Sequence, residues 1–283
     1  MYDQDMANKA AVNLRLVRER KPLVHNITNY VVMNYTANAL LACGAAPVMA
    51  HAAEEVEEMV SLAGALVLNI GTLSIPWIEA MIKAGKRANA LHVPIILDPV
   101  GAGATALRTD SAKRLIEEVS IQVIRGNASE ILSLSRERPG SRTKGVDSVH
   151  TVDQVAQMAV ALAGDLKAVL AVTGVVDLIT DGERVYRVMN GHEMMRHVTG
   201  TGCTATAIIG AFLAVDSDSL KAATTGLAYF GLAGEKAAAK TSSPGTFQIA
   251  LLDSLYEMNE EETRAGARIE GSPAGRLVRE VSE

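Results

Sequence analysis

Four short, nearly unbroken apolar runs, each closed by a polar residue or a glycine, constrain the fold of this chain more than any other feature. Residues 65–70 run into Gly71, residues 93–97 into Asp98 and Pro99, residues 121–124 into Arg125, Gly126 and Asn127, and residues 168–172 into Thr173 and Gly174. A strand with one wet face alternates apolar and polar residues, whereas continuous Val/Ile/Leu runs of this length suit strands buried on both faces. The sequence therefore predicts an α/β fold with a mostly parallel sheet covered by helices on both faces. The intervening segments supply the helices. Pro76 close behind Ser74 suits a first helical turn. Thr151 and Gln154 form a capping box for a helix to about Leu162. Further helices are expected from Cys203 to about Val215, from about Leu220 to Lys240, and after Thr246. Asp181-Gly182 lies between two β-rich runs and is a two-residue hairpin signal, so an antiparallel pair closes one side of the sheet.

Neither a repeat nor a linker divides the chain, and the polar loop 136–144 is too short to separate domains. Residues 1–283 read as one domain, ending from about 259 to 283 in a helix end and a charged, solvated tail. The balance of 27 Lys+Arg against 32 Asp+Glu gives a net charge of −5. With no local basic cluster, this argues against a general nucleic-acid binder, which needs a positive face to neutralise phosphates. No run approaches the ~18 apolar residues that cross a bilayer, so no membrane is expected as a partner. The first residues lack a signal-peptide pattern. The two cysteines, Cys43 and Cys203, are too distant in sequence and too few for a disulfide scaffold. A reducing, cytoplasmic location is the expectation.

In open α/β sheets, ligands sit beyond the carboxyl ends of the strands. Gly71, Asp98, Arg125, Asn127 and Thr173 all fall there. Gly200-Thr201-Gly202-Cys203 opens an apolar helix, where unpartnered N–H groups and the macrodipole favour an anion such as a migrating phosphoryl group. The same glycines also suit a tight turn with close helix packing. Asp98 and Glu130, at neighbouring strand ends, suit Mg²⁺ held partly through water. Yet Asn127-x-x-Glu130 is also a helix cap, and Asp98 is also a turn residue before proline. Arg125 can clamp a phosphate with its guanidinium fork or sit at a strand exit. Thr173 can meet a nucleotide phosphate or fill a strand end. Cys43 ends an apolar helix and reads as buried and inert. At a helix N-terminus the pKa of a thiol falls, so Cys203 reads as a nucleophile, a proton acceptor or a small residue shaping a pocket.

Three competing motifs fail. Gly101-Ala-Gly-Ala-Thr-Ala106 fits a dinucleotide fingerprint, but no acidic residue stands where a ribose would be held. Gly140 and Gly145 have P-loop spacing, but Val146 replaces the required lysine. His192 and His197 are five residues apart, about 140° around a helix, and so cannot share a zinc.

Taken together, Leu23-Val-His-Asn-Ile-Thr-Asn29, Gly44-Ala-Ala-Pro-Val-Met-Ala50, Leu68-Asn-Ile-Gly-Thr72, Ile96-Leu-Asp-Pro-Val-Gly-Ala-Gly103, Ile124-Arg-Gly-Asn127, Lys144-Gly-Val-Asp-Ser148 and Val198-Thr-Gly-Thr-Gly-Cys203 resemble, in order, the hydroxyethylthiazole kinase family. The resemblance implies a ribokinase-like fold and ATP-dependent phosphorylation of the primary alcohol of 4-methyl-5-(2-hydroxyethyl)thiazole in thiamine salvage. It also implies a homotrimer with thiazole sites at subunit boundaries. Carried onto this chain, Met49, Gly200 and Asn29 would contact the thiazole, and Arg125 and Thr173 would bind ATP. Asp98 and Glu130 would serve Mg²⁺, and Gly200, Thr201, Gly202 and Cys203 would form the anion hole. Related kinases usually carry an aspartate base where Cys203 stands, so Cys203 is expected to border the reacting hydroxyl as at best a modest base. A pyrimidine or pyridoxal kinase would keep that aspartate. A pure binding protein would need neither the carboxylates nor the anion hole, and an oxidoreductase would bind a dinucleotide.

Overall fold

The computed structural model describes residues 2–135 and 152–274. The loop 136–144, the motif at 144–148, the Thr151 capping box and the chain beyond Ala274 lie outside the described residues. The apolar runs become β3 and its neighbours in a sheet whose strands are β1 (Leu23–Ile27), β2 (Ala46–Val48), β3 (Ala65–Asn69), β4 (Ile95–Asp98), β5 (Val123–Asn127), β6 (Val169–Thr173), β7 (Asp177–Thr180), β8 (Arg184–Val188) and β9 (Ile269–Pro273). Their spatial order is β2-β1-β3-β4-β5-β6-β7-β8-β9. The strands from β2 to β6 pair in parallel, and β7, β8 and β9 join antiparallel. The order reverses between β1 and β3, so a crevice opens above their carboxyl ends.

The helices are α1 (Gln4–Arg20), α2 (Met33–Cys43), α3 (Val56–Leu62), α4 (Ile75–Leu91), α5 (Ala106–Glu118), α6 (Ala128–Ser133), α7 (Val152–Leu166), α8 (Thr201–Leu213), α9 (Ser219–Lys240), α10 (Pro244–Glu257) and α11 (Glu260–Gly266). They divide into two layers, and alternate side chains of each central strand feed each layer. Val67 and Ile96 join the core under α1, α2, α8, α9 and α10. Leu66, Leu68, Ile95 and Leu97 join the core under α3 to α7. Burial on both sides explains why these strands lack a polar face. The heart of the first layer is α8, whose residues from Thr204 to Leu213 are all buried.

Two expectations need correcting. The stretch from 259 begins with the expected helix end, but a strand follows it where the sequence predicts a solvated tail. Asn259 caps α11 through a reciprocal bond with Glu262, and β9 pairs with β8 along Arg184–Val188. The charged residues there hid a short edge strand, the kind that tolerates charge. The hairpin between β7 and β8 is one residue longer than its Asp-Gly signal suggested, spanning 181–183. The Asp181 carboxylate accepts from the N–H groups of Glu183 and Arg184, which stabilises the wider turn.

Candidate active site

The site grows from the carboxyl ends of β1, β3, β4, β5 and β6, where the chain turns from buried strand to helix. Asp98, the last residue of β4, is 1% exposed. It is therefore a strand residue held inside the protein and not a surface turn residue. Asn69 ends β3 and donates from Nδ2 to Asp98 Oδ2 at 2.9 Å. Asn29, two residues past β1, donates from Nδ2 to Asn69 Oδ1 at 2.8 Å and reaches Cys203 Sγ at 3.5 Å. From the second turn of α8, Thr206 Oγ1 donates to Asp98 Oδ2 at 2.8 Å. The start of α8 thus stands directly over the strand ends that carry Asp98 and Asn69.

Gly200 makes that start possible. It caps α8 with φ of +85°, a left-handed conformation in which other residues are strained, and it contributes no capping side chain. The first intrahelical bond runs from Thr204 N to Gly200 O at 2.8 Å. The N–H groups of Thr201, Gly202 and Cys203 precede it and are the unpaired donors that every helix start carries. Gly202 meets the second requirement, close approach: a Cβ there would lie 2.7 Å from Arg125 Nη1. The guanidinium therefore packs against bare helix backbone. Arg125 Nη2 donates to Thr173 Oγ1 at 2.7 Å, and Nη1 lies 3.8 Å from Asp98 Oδ2.

Glu130 belongs to the same edge. It completes the capping box of α6, with Oε2 accepting from Asn127 N at 2.9 Å, and Oε1 accepts from Gly101 N in the loop after β4 at 2.8 Å. The capping interpretation of Asn127-x-x-Glu130 is thus correct as geometry, and the same bonds fix the carboxylate near Asp98, whose charge it opposes. Arg108 on α5 ties the loops together, donating to Ile70 O, Val100 O and Gly71 O.

Electrostatics follow from burial. Burial pushes the Asp98 carboxyl up to about 6, opposed mainly by the Arg125 charge and the Thr206 hydrogen bond. Asp177, half-buried and bonded to Gly174 N at 2.9 Å, is likewise raised to about 6 by burial. The Cys203 thiol is pushed up to about 11 by burial, with the Asp98 charge adding to the rise. The thiol is thus raised, not lowered as the helix terminus alone predicts, by desolvation first and then by the neighbouring carboxylate. At neutral pH Cys203 is a neutral thiol. Cys43, as expected, is wholly buried, and its thiol is raised to about 12 by desolvation.

A cleft of about 680 Å³ opens beside this cluster, lined by Arg125, Thr173, Asp177, Thr201 and Gly202, with Met195, Leu227 and Phe230 on an apolar wall. A larger cavity of about 820 Å³ lies at the amino ends of the strands, between Gly64, Pro94, Gln122 and Val215. Its lining includes none of the clustered residues. The structure thus brings together Asn29, Asp98, Arg125, Glu130, Thr173 and residues 200–203. Met49 is at the same edge, one residue beyond β2 and half-buried, but takes no part in the hydrogen-bonded cluster. Its loop is held by His25 Nε2, which bonds Ala50 O at 2.7 Å, and by the His51 ring, 4.6 Å from that of Trp77. Asn69, Thr206, Asp177 and Arg108 were missed. Asn69 ends an apolar run and Thr206 interrupts an apolar helix four residues after Gly202, and both signals could have been read.

Two carboxylates and an unpartnered, buried oxygen, Asp98 Oδ1, fit a hard divalent cation that takes its remaining ligands from water and phosphate. Among the described residues, no cluster of three or more His, Cys, Asp or Glu could cage a metal by itself.

The model of the hydroxyethylthiazole kinase family matches residues 14–261. A hydroxyethylthiazole kinase of Desulfotalea psychrophila is 62% identical over 267 residues, covering 94% of this chain and 97% of that protein. One of Desulfosudis oleivorans is 54% identical, covering 95% and 98%. The solved hydroxyethylthiazole kinase of Pyrococcus horikoshii superposes with a TM-score of 0.86 at 47% identity, covering 93% of this chain and 98% of that one. The pyridoxal kinase of Staphylococcus aureus, with a TM-score of 0.62 at 15% identity over 89% and 98%, shares the ribokinase-like fold alone.

Proposed function

The chain belongs to the hydroxyethylthiazole kinase family, and from that membership we propose how its residues divide the work of the reaction. The protein is a kinase that phosphorylates the alcohol of 4-methyl-5-(2-hydroxyethyl)thiazole with ATP in thiamine salvage. ATP occupies the cleft beside Arg125 and Thr173, its triphosphate pointing at the start of α8. Arg125 supplies charge-assisted donors to phosphate oxygens, and Thr173 fixes the guanidinium. The N–H groups of Thr201, Gly202 and Cys203 receive the migrating phosphoryl group. Phosphoryl transfer has a loose transition state, so catalysis is mainly positioning and charge neutralisation. Mg²⁺, held by Asp98 and Glu130 with water and phosphate, supplies further neutralisation of the triphosphate when bound.

Thiazole is a small neutral heterocycle. The polarizable side chain of Met49 packs against its face, the backbone at Gly200 borders it, and Asn29 orients the hydroxyethyl arm beside Cys203. A neutral thiol does not take the alcohol's proton in the ground state, so Cys203 shapes the site and is at best a modest base. We further propose a cytoplasmic homotrimer with the thiazole site completed at a subunit boundary. Support comes from Tyr30 and Val31, which follow Asn29 and are 65% and 63% exposed, and from the open sheet edge at Met49. Sedimentation at three times the monomer mass is the expected result, and sedimentation as a monomer would refute it. Among the described residues no helix is long and apolar enough to cross a membrane.

The observation that carries this assignment of roles is the meeting of an uncapped helix start with a buried carboxylate bearing an unpartnered oxygen. A coupled ADP-release assay with Mg·ATP tests it, offering the thiazole alcohol against pyrimidine and pyridoxal alcohols. The expected product carries phosphate on the hydroxyethyl arm, and preferential turnover of either other alcohol would contradict the assignment.

A further inference from the structure

Every side chain that reaches the Asp98 carboxylate reaches the same oxygen. Asn69 Nδ2 and Thr206 Oγ1 both donate to Oδ2, at 2.9 and 2.8 Å, and Arg125 Nη1 stands 3.8 Å from that atom. Oδ1 is buried and has no partner among the described residues. An ionised carboxylate offers about four acceptor sites, and leaving half of them empty in a buried place is costly. Such one-sidedness needs a reason.

Both donors are set by their surroundings. Gly71 N–H can only donate, and it lies 3.0 Å from Asn69 Oδ1. That contact fixes which end of the amide is oxygen, so Nδ2 must face Asp98. Asn29 donates to the same Oδ1 and reinforces the choice. Thr206 is fully buried within α8. There a threonine hydroxyl ordinarily bonds the carbonyl four residues back. Gly202 O lies at 3.3 Å, but Asp98 Oδ2 is nearer and charged. A hydroxyl has one proton, and the charged acceptor takes it.

We infer that Asn69 and Thr206 are positioning residues that pin Asp98 by Oδ2 and reserve Oδ1 as the ligand oxygen for the divalent metal. The inference rests on the proposal that Asp98 is a metal carboxylate. Hydrogen bonds of this kind orient ligating carboxylates, and their loss typically costs ten- to a hundredfold in metal affinity.

The test uses Mn²⁺ as probe, its free concentration read by electron paramagnetic resonance in titrations of the full chain with ADP and no thiazole. No turnover is involved. The proteins are wild type, Asp98→Asn, Thr206→Val, Thr206→Ser and Asn69→Ala, each checked by thermal unfolding. Thr206→Val keeps the shape of the side chain and removes the donor, whereas Thr206→Ser keeps the donor. We expect Mn²⁺ binding about tenfold or more weaker in Asp98→Asn, Thr206→Val and Asn69→Ala, and within about twofold of wild type in Thr206→Ser. Affinity for metal-free ADP in Thr206→Val, Thr206→Ser and Asn69→Ala stays within about twofold of wild type, which a general loss of structure would not allow. Wild-type Mn²⁺ affinity in a folded Thr206→Val protein overturns the inference. Should that variant fail to fold, wild-type affinity in Asn69→Ala does the same. If Asp98→Asn binds Mn²⁺ as wild type does, the metal proposal falls and this inference with it. If Asp98→Asn is weakened while Thr206→Val and Asn69→Ala are not, this inference falls alone.

Discussion

Replacing Gly202 with alanine separates the stability of α8 from the function assigned to its first turn. A Cβ at this position would lie 2.7 Å from Arg125 Nη1, 3.1 Å from Nη2 and 3.3 Å from Cζ. Gly202 is an ordinary helical residue, so the backbone accepts alanine and gains about 0.5–1 kcal/mol in helix propensity. What must give way is the guanidinium, the free end of a long side chain. Its movement breaks the 2.7 Å bond to Thr173 and loosens the 3.8 Å pairing with Asp98. A hydrogen bond to a charged group contributes about 1.5–3 kcal/mol. At about 1.4 kcal/mol per decade, kcat/KM for ATP should fall roughly ten- to a hundredfold. The assay is coupled ADP release with ATP varied at saturating thiazole alcohol, together with a thermal melt. The melting temperature should fall by no more than a few degrees, the lost bond less the propensity gain, while the ATP parameters collapse towards those of Arg125→Ala. A folded Gly202→Ala protein with kcat/KM for ATP within twofold of wild type would refute the reasoning. Gly200→Ala should differ, because its φ of +85° and a contact 2.5 Å from Val32 Cγ1 make alanine costly to the fold as well.

Three further predictions follow from the same geometry. Burial raises the Asp98 carboxyl to about 6, so the native state binds its proton more readily than the unfolded chain does. Stability from this group is therefore lost as pH rises from about 4 through 6. Asp98→Asn, which has no such charge to bury, should gain about 2–3 kcal/mol on wild type between pH 4 and 8, measured by denaturant unfolding without metal; an unchanged difference would contradict the buried charge. Cys203→Ala should cost less than about tenfold in turnover, against a hundredfold or more for Asp98→Asn, since a neutral thiol contributes little base strength; equal losses would make Cys203 indispensable. Chelation should abolish ADP release yet shift the melting temperature of the nucleotide-free protein by less than about 2 °C, because two carboxylates do not staple the fold as a closed metal cage does.

The parallel core was legible because β3 to β6 are buried on both faces and their sequence has no polar alternation to confuse the reading. β1 and β2 were recognised only as motifs. His25 and Asn26 interrupt the apolar run of β1, and their burial depends on contacts made elsewhere in the fold, such as the His25 bond to Ala50 O. β9 was hidden because an edge strand needs few apolar residues. Residues that carry charge to the site, Asp98, Arg125 and Glu130, stood out at strand ends. Asn69 and Thr206 interrupt apolar stretches and so are visible as buried polar residues, but their role depends on their shared partner Asp98, which sequence does not show. The Cys203 thiol departs from the helix-terminus expectation for a related reason. Sequence reveals the helix start but not the depth of burial or the carboxylate beside it.

The proposed reaction requires the first amides of α8 and a divalent cation on the Asp98 and Glu130 carboxylates to neutralise the migrating phosphoryl group from opposite sides. A crystal structure of the full chain with Mg·ADP, aluminium fluoride and the thiazole alcohol measures this directly. Fluorines are expected within hydrogen-bond reach of the Thr201, Gly202 and Cys203 N–H groups, with the metal on the Asp98 and Glu130 side. An aluminium fluoride group bound away from that helix start, or a metal bound without either carboxylate nearby, would contradict it.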